Sequence, residues 1–148
     1  MPHPTRDFTS TTFVVQGSRT LLILHRKIGK WFPPGGHIDP HELPCEAAVR
    51  EVREETGLEV ELLSERSQLG DVGVLSRPEC ILLEPIQDGH EHVDLIYFAR
   101  VVGGAMNVSV DEADDWRWCS LEDLDDPVIP IDIRHLGKRA IQAASPKT

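Results

Sequence analysis

Three glutamates, Glu51, Glu54 and Glu55, fall in a segment whose composition favours a helix. At about 100° per residue, Glu55 lies about 40° from Glu51 on one side and Glu54 about 60° on the other, so the three carboxylates share one face. Like charges at i,i+4 weaken a helix by about 0.2–0.5 kcal/mol. Glu54 and Glu55 also occupy the last turn, where the helix dipole disfavours anions. Hard divalent cations resolve this conflict, because Mg²⁺ prefers carboxylate, water and phosphate oxygens. A solvated acidic face is the alternative, and the helix alone does not choose between them. Ala47 falls within the acidic face, where a small side chain leaves room. Ala48, Val52, Cys45, Thr56 and Val49 form the stripe expected to be buried.

The loop before the helix favours the metal chemistry. Pro33-Pro34-Gly35-Gly36 is a rigid turn followed by glycines. Glycine lets backbone approach a ligand closely and leaves the Gly36 carbonyl able to act as an oxygen donor. The overall charge agrees. With 15 Lys and Arg against 25 Asp and Glu, the net charge is −10. Nucleic acid gripped by phosphate neutralisation needs the opposite balance, so no stable nucleic-acid complex is expected. A polyanionic substrate must arrive with cations.

These residues resemble a family. Nudix hydrolases share the pattern G-x5-E-x7-R-E-U-x-E-E-x-G-U, with U bulky and apolar. Gly36, Glu42, Arg50, Glu51, Val52, Glu54, Glu55, Gly57 and Leu58 match it at every specified position. The entry Trp31-Phe32-Pro33-Pro34-Gly35-Gly36 is similar to that of the small MutT-like members. The resemblance implies an α/β/α sandwich and hydrolysis of the diphosphate linkage of a nucleoside diphosphate joined to another group. It implies Mg²⁺ or Mn²⁺ on Glu51, Glu54, Glu55 and the Gly36 carbonyl, with Arg50 and Glu42 orienting the carboxylates. Glu51 is the first choice of general base. Glu112 is the second, as base and further metal ligand, because related proteins carry an acidic loop near that place. Homodimers are common in the family. Two rivals share the fold: a nucleotide sensor without catalysis, and a diphosphate isomerase, which needs a cysteine facing a glutamate. The proline, tyrosine and arginine signatures of the ADP-ribose, diadenosine polyphosphate and coenzyme A subgroups are not found where those subgroups carry them.

The elements that must position these residues are legible in outline. A chain of 148 residues suits one domain spanning 1–148, with loose ends near 1–7 and 145–148. Strands are expected at Thr11–Gln16, Thr20–Arg26, Glu59–Glu65, Glu79–Leu83, His92–Val102 and around Trp116-Arg117-Trp118. Helices are expected at about Pro44–Thr56, briefly after Ser120, and at about Ile133–Ala144 with Asp132 as N-cap. The order indicates an α+β protein with helices packed on a mixed sheet. His90, His92 and Asp94 share one side of a regular strand, a spacing used by metal sites and by solvent-facing strands alike. Substrate contact is the expectation for His92 and Asp94, for Trp31 by ring stacking and for Arg26 by a distal phosphate. His37 and His41 are expected as exposed loop histidines. Three widely spaced cysteines suggest no disulfide framework. No run approaches the ~20 apolar residues of a membrane span, and the N-terminus does not resemble a secretory leader, so a cytoplasmic protein is expected.

Overall fold

The computed structural model of the protein describes residues 3–108 and 113–146. Glu112 therefore lies outside the described residues. Ten strands appear in chain order: β1 (Thr5–Gln16), β2 (Arg19–His25), β3 (Lys30–Phe32), β4 (Gly35–His37), β5 (Leu58–Leu62), β6 (Ser67–Leu69), β7 (Val72–Val74), β8 (Cys80–Gln87), β9 (His90–Gly104) and β10 (Ala113–Cys119). Helix α1 (Pro44–Thr56) follows β4, and α2 (Ile131–Ala144) ends the fold. Eight strands form one mixed sheet in the order β10-β2-β1-β9-β5, with β3 beside β2, β4 beside β1 and β8 beside β9. Strands β6 and β7 form a separate hairpin.

Alternation along β1 divides the core. Phe13 and Val15 face α2, packing with Ile133, Leu136, Ala140 and Ile141. Val14, between them, packs with Val52 of α1 and with Leu21, Leu58, Val60 and Ala99. The two helices thus cover opposite faces of the sheet, which is the expected sandwich.

Several elements differ from the sequence expectation. Strand β1 starts at Thr5, inside the end expected to be loose, because it pairs in parallel with β9 from Thr5↔His90 to Val15↔Arg100. Pairing at that sequence separation leaves no local signal. Helix α2 starts at Ile131 with Pro130 at the N-cap and not Asp132. The segment after Ser120 is a single 3-10 turn at Asp123–Asp125. The capping expected there is present: Asp123 N–H donates to Ser120 Oγ (3.1 Å), and Ser120 N–H donates to Asp123 Oδ2 (2.9 Å). Ala47 is buried and not open above the acids.

Helix α1 ends where expected. Gly57 adopts φ 76°, and its N–H donates to Arg53 O at 2.9 Å. A Cβ there would lie 2.4 Å from Ala105 O. Gly57→Ala therefore costs about 1–3 kcal/mol. Urea unfolding should show a lower midpoint with an unchanged slope.

Candidate active site

The α1 carboxylates are set by backbone and by one arginine. A Cβ on Gly36 would lie 2.5 Å from the Glu51 carboxylate, so only glycine lets β4 and that side chain approach so closely. Gly35 N–H donates to Glu55 Oε2 at 2.9 Å. Arg50 forks onto Glu42, with Nε to Oε2 at 2.7 Å and Nη2 to Oε1 at 2.9 Å. Its Nη1 reaches Glu51 Oε1 (2.9 Å) and Glu54 Oε2 (3.1 Å), and Nη2 reaches His37 O (2.9 Å). One planar cation thus ties three carboxylates and a carbonyl, a geometry lysine cannot reproduce. Hydrogen bonding to Arg50, against some burial, holds the Glu42 carboxyl below the usual range. The donor set beside Gly36 is all oxygen and strongly anionic, which fits a hard divalent cation.

These groups border a cleft of about 960 Å³ on the α2 side of the sheet. Glu51, Glu55, Gly36, Arg26, His92 and Asp94 line it. Trp31 is not among the lining residues; the Arg117 guanidinium sits 5.5 Å from its ring centroid. Arg26 lies at the exposed end of the cleft wall, just beyond β2.

A family model described as the NUDIX domain matches residues 7–139. The chain belongs to the NUDIX family. It is a Nudix-type diphosphohydrolase, a hydrolase of the MutT-like kind. A crystal structure of a NUDIX-family hydrolase from Clostridium perfringens shares 32% identity over 95% of this chain and 99% of that one, with a TM-score of 0.86. A Bacillus subtilis (strain 168) protein provisionally named an 8-oxo-dGTP diphosphatase is 31% identical over 76% of this chain and 67% of its own length. A human 8-oxo-dGDP phosphatase is 31% identical over 88% of this chain, but the match spans only 37% of that longer protein.

The cleft of this Nudix domain holds polar groups that sequence reasoning missed. Asp94 is 4% exposed. It accepts bonds from Thr9 Oγ1 (2.9 Å) and Thr11 Oγ1 (2.8 Å) on β1. Glu84 of β8 also bonds Asp94. Burial, then the nearby Asp94 charge, pushes the Glu84 carboxyl well up. Burial raises Asp94 too, while bonds from Thr11, Glu84 and Thr9 oppose that rise. The shared proton therefore sits on Glu84, and Asp94 is the carboxylate. Burial, then the nearby His37 and His90, lowers the His92 pKa from its ordinary value. Glu84 was hidden because only the register, which sets it opposite His92 and beside the Asp94 row, reveals its partner. His37 lies in β4 and its Nε2 is 3.1 Å from Asp7 Oδ2, so it is not a simple loop histidine.

The folded pKa of Glu84 lies above its ordinary 4.5, so its stabilising contribution is full below that value and is lost as pH rises through the folded pKa. Glu84→Gln, which keeps a neutral donor, should remove this loss. In metal-free buffer its Tm should exceed that of the wild type at about pH 8 and converge with it at about pH 4. A constant Tm difference across that range would contradict the assignment.

Proposed function

We propose that the protein uses Mg²⁺ or Mn²⁺ to hydrolyse the diphosphate linkage of a nucleoside diphosphate joined to another group, with nucleoside triphosphates as the leading class. The carrying observation is the complete carboxylate set at the edge of a nucleotide-sized cleft, Glu51 and Glu54 tied by Arg50 and Glu55 held by the Gly35 N–H, all beside Gly36. The bacterial relative's name favours an oxidised purine triphosphate, and the human relative's name an oxidised purine diphosphate. A cytoplasmic location agrees with that substrate pool, and no helix of the described residues is long and apolar enough to cross a membrane.

Glu51, Glu54, Glu55 and the Gly36 carbonyl would hold the cation, with Glu112 as a further ligand. A cation held there would supply charge neutralisation of the diphosphate and of the departing phosphate. The protein's own groups do the rest. Glu51 takes the proton of the attacking water, whose oxygen forms the new P–O bond, while the bridging oxygen leaves with its electron pair. Arg50 and Glu42 are positioning residues that fix the carboxylates before substrate arrives. Arg26 meets a distal phosphate, and His92 and Asp94 contact the remainder of the substrate. Trp31 stands outside these contacts, with the Arg117 guanidinium over its ring.

The isomerase rival lacks its nucleophile. Cys45 and Cys119 are buried, and none of the three cysteines lines the cleft. The sensor rival has no support in a box that retains every glutamate.

The deciding experiment is a panel of nucleoside triphosphates, oxidised purine nucleotides, sugar nucleotides and dinucleotides, assayed with Mg²⁺ and with Mn²⁺ and read by product mass. Cation-dependent release of a nucleoside monophosphate that disappears in Glu51→Gln is expected, with that variant folded. No turnover across the panel, with thermal stabilisation by one compound, would favour the sensor. Arg50→Lys should retain the fold but lower kcat by about 10–100-fold. A kcat near that of the wild type would remove the positioning role from Arg50.

A further inference from the structure

A second cluster of potential ligands stands apart from the box glutamates. Asp7 of β1, His37 of β4 and His92 of β9 each offer one ligand atom, and these atoms lie within 4.8 Å of one another. The sheet builds this arrangement. β1 lies between β4 and β9, with Asp7 opposite His92 and with Thr9, two residues on and on the same face, opposite His37. The His37 and His92 rings meet edge to face with centroids 5.2 Å apart. His37 Nε2 is 3.1 Å from Asp7 Oδ2. A fourth group fixes Asp7 from the other side: His90 Nε2 is 3.2 Å from the same oxygen, and Thr5 Oγ1 holds His90 Nδ1 at 2.8 Å.

The chemistry of this set differs from that of the box. Two imidazoles and one carboxylate suit a borderline divalent cation, whereas Mg²⁺ favours oxygen alone. Zinc bonds of about 2.0–2.2 Å put tetrahedral ligand atoms about 3.3 Å apart, so ligand atoms now within 4.8 Å must close by up to about 1.5 Å through side-chain adjustment. Three protein ligands leave a fourth position for water or substrate. His37 and His92 both line the cleft, so an ion held there borders it. The same ion would pin the first residues of β1 to both neighbouring strands.

We propose that Asp7, His37 and His92 form a binding site for a borderline transition-metal cation of the Zn²⁺ type, separate from the glutamates of the Nudix box. The site does not depend on the proposed hydrolysis, and its test reads binding alone.

Zn²⁺ is titrated calorimetrically into the chelator-stripped full chain. The same titration is made with Glu54→Gln/Glu55→Gln and with His37→Ala/His92→Ala. One equivalent should bind the wild type and the glutamate variant with similar Kd, and Kd should rise at least about tenfold in the histidine variant. Loss in the glutamate variant with retention in the histidine variant would assign the ion to the box and overturn the proposal, as would no binding to the wild type. A second measurement needs no variant. Imidazole nitrogen resonances of His37 and His92 should move on addition of Zn²⁺ while that of His135, on α2, stays. Unmoved His37 and His92 signals at saturating Zn²⁺ would also overturn it.

Discussion

The parallel pairing of β1 with β9 is the constraint on which the rest depends. It runs unbroken from Thr5↔His90 to Val15↔Arg100. A one-residue slip would turn every β1 side chain to the other face. Phe13 and Val15 would leave the α2 core, and Thr9 and Thr11 would no longer reach Asp94. The same register carries β4, because Ser10 pairs with Gly36 and Thr9 with His37. Helix α1 is tied to that frame as well, through the Ser10 Oγ bond to Pro44 O at 2.8 Å. The apolar half of β1 therefore fixes the register, and the polar half delivers the chemistry.

Charge is arranged within that frame by unequal means. On the α1 side, the repulsion among Glu42, Glu51 and Glu54 is offset by the Arg50 guanidinium, with Glu42 and Glu51 largely shielded from water. Arg50 is itself a cation whose partners raise its already high pKa, so it stays charged, and its bonds hold the Glu42 carboxyl below the usual range. On the α2 side the side chains bonded to Asp94 are Thr9, Thr11 and Glu84, none of them a cation, and Glu84 keeps a proton instead. The first arrangement preserves negative charge for a cation, while the second limits it to one carboxylate in a partly apolar cleft. In the proposed reaction, phosphates and a less polar substrate moiety would thus meet different electrostatic surroundings a few residues apart.

The box and its helix were legible because their constraints are local. Pro44, Gly57, the glutamate spacing and the buried stripe all act within a few turns, and the structure matches them apart from the burial of Ala47. The fold class followed from the order of elements. What escaped was everything set by distant pairing. Thr5–Asp7 reads as a polar end until β9 lies beside it. The short strands β3 and β4 have no apolar alternation of their own, so they exist only as additions to β2 and β1. Asp94 was seen as a site residue, but Thr9, Thr11 and Glu84, which set its charge state, sit on other strands. His90, His92 and Asp94 also share a strand face, yet their partners divide them: Asp94 turns to the threonines, while His92 meets Asp7 and His37.

Strand alternation then explains how two cation environments fit in one small domain. Gly36 and His37 are consecutive, so they address opposite faces of the sheet. Gly36 meets Glu51 of α1, and His37 meets Asp7 and His92, although both sets border the same cleft. The all-oxygen set and the imidazole-rich set are thereby kept apart although their backbone is continuous. They are still linked, since Arg50 Nη2 donates to His37 O at 2.9 Å while its Nη1 holds Glu51. The link is one hydrogen bond from a rigid planar group to the backbone of β4, and it joins the two sets without passing through the apolar core.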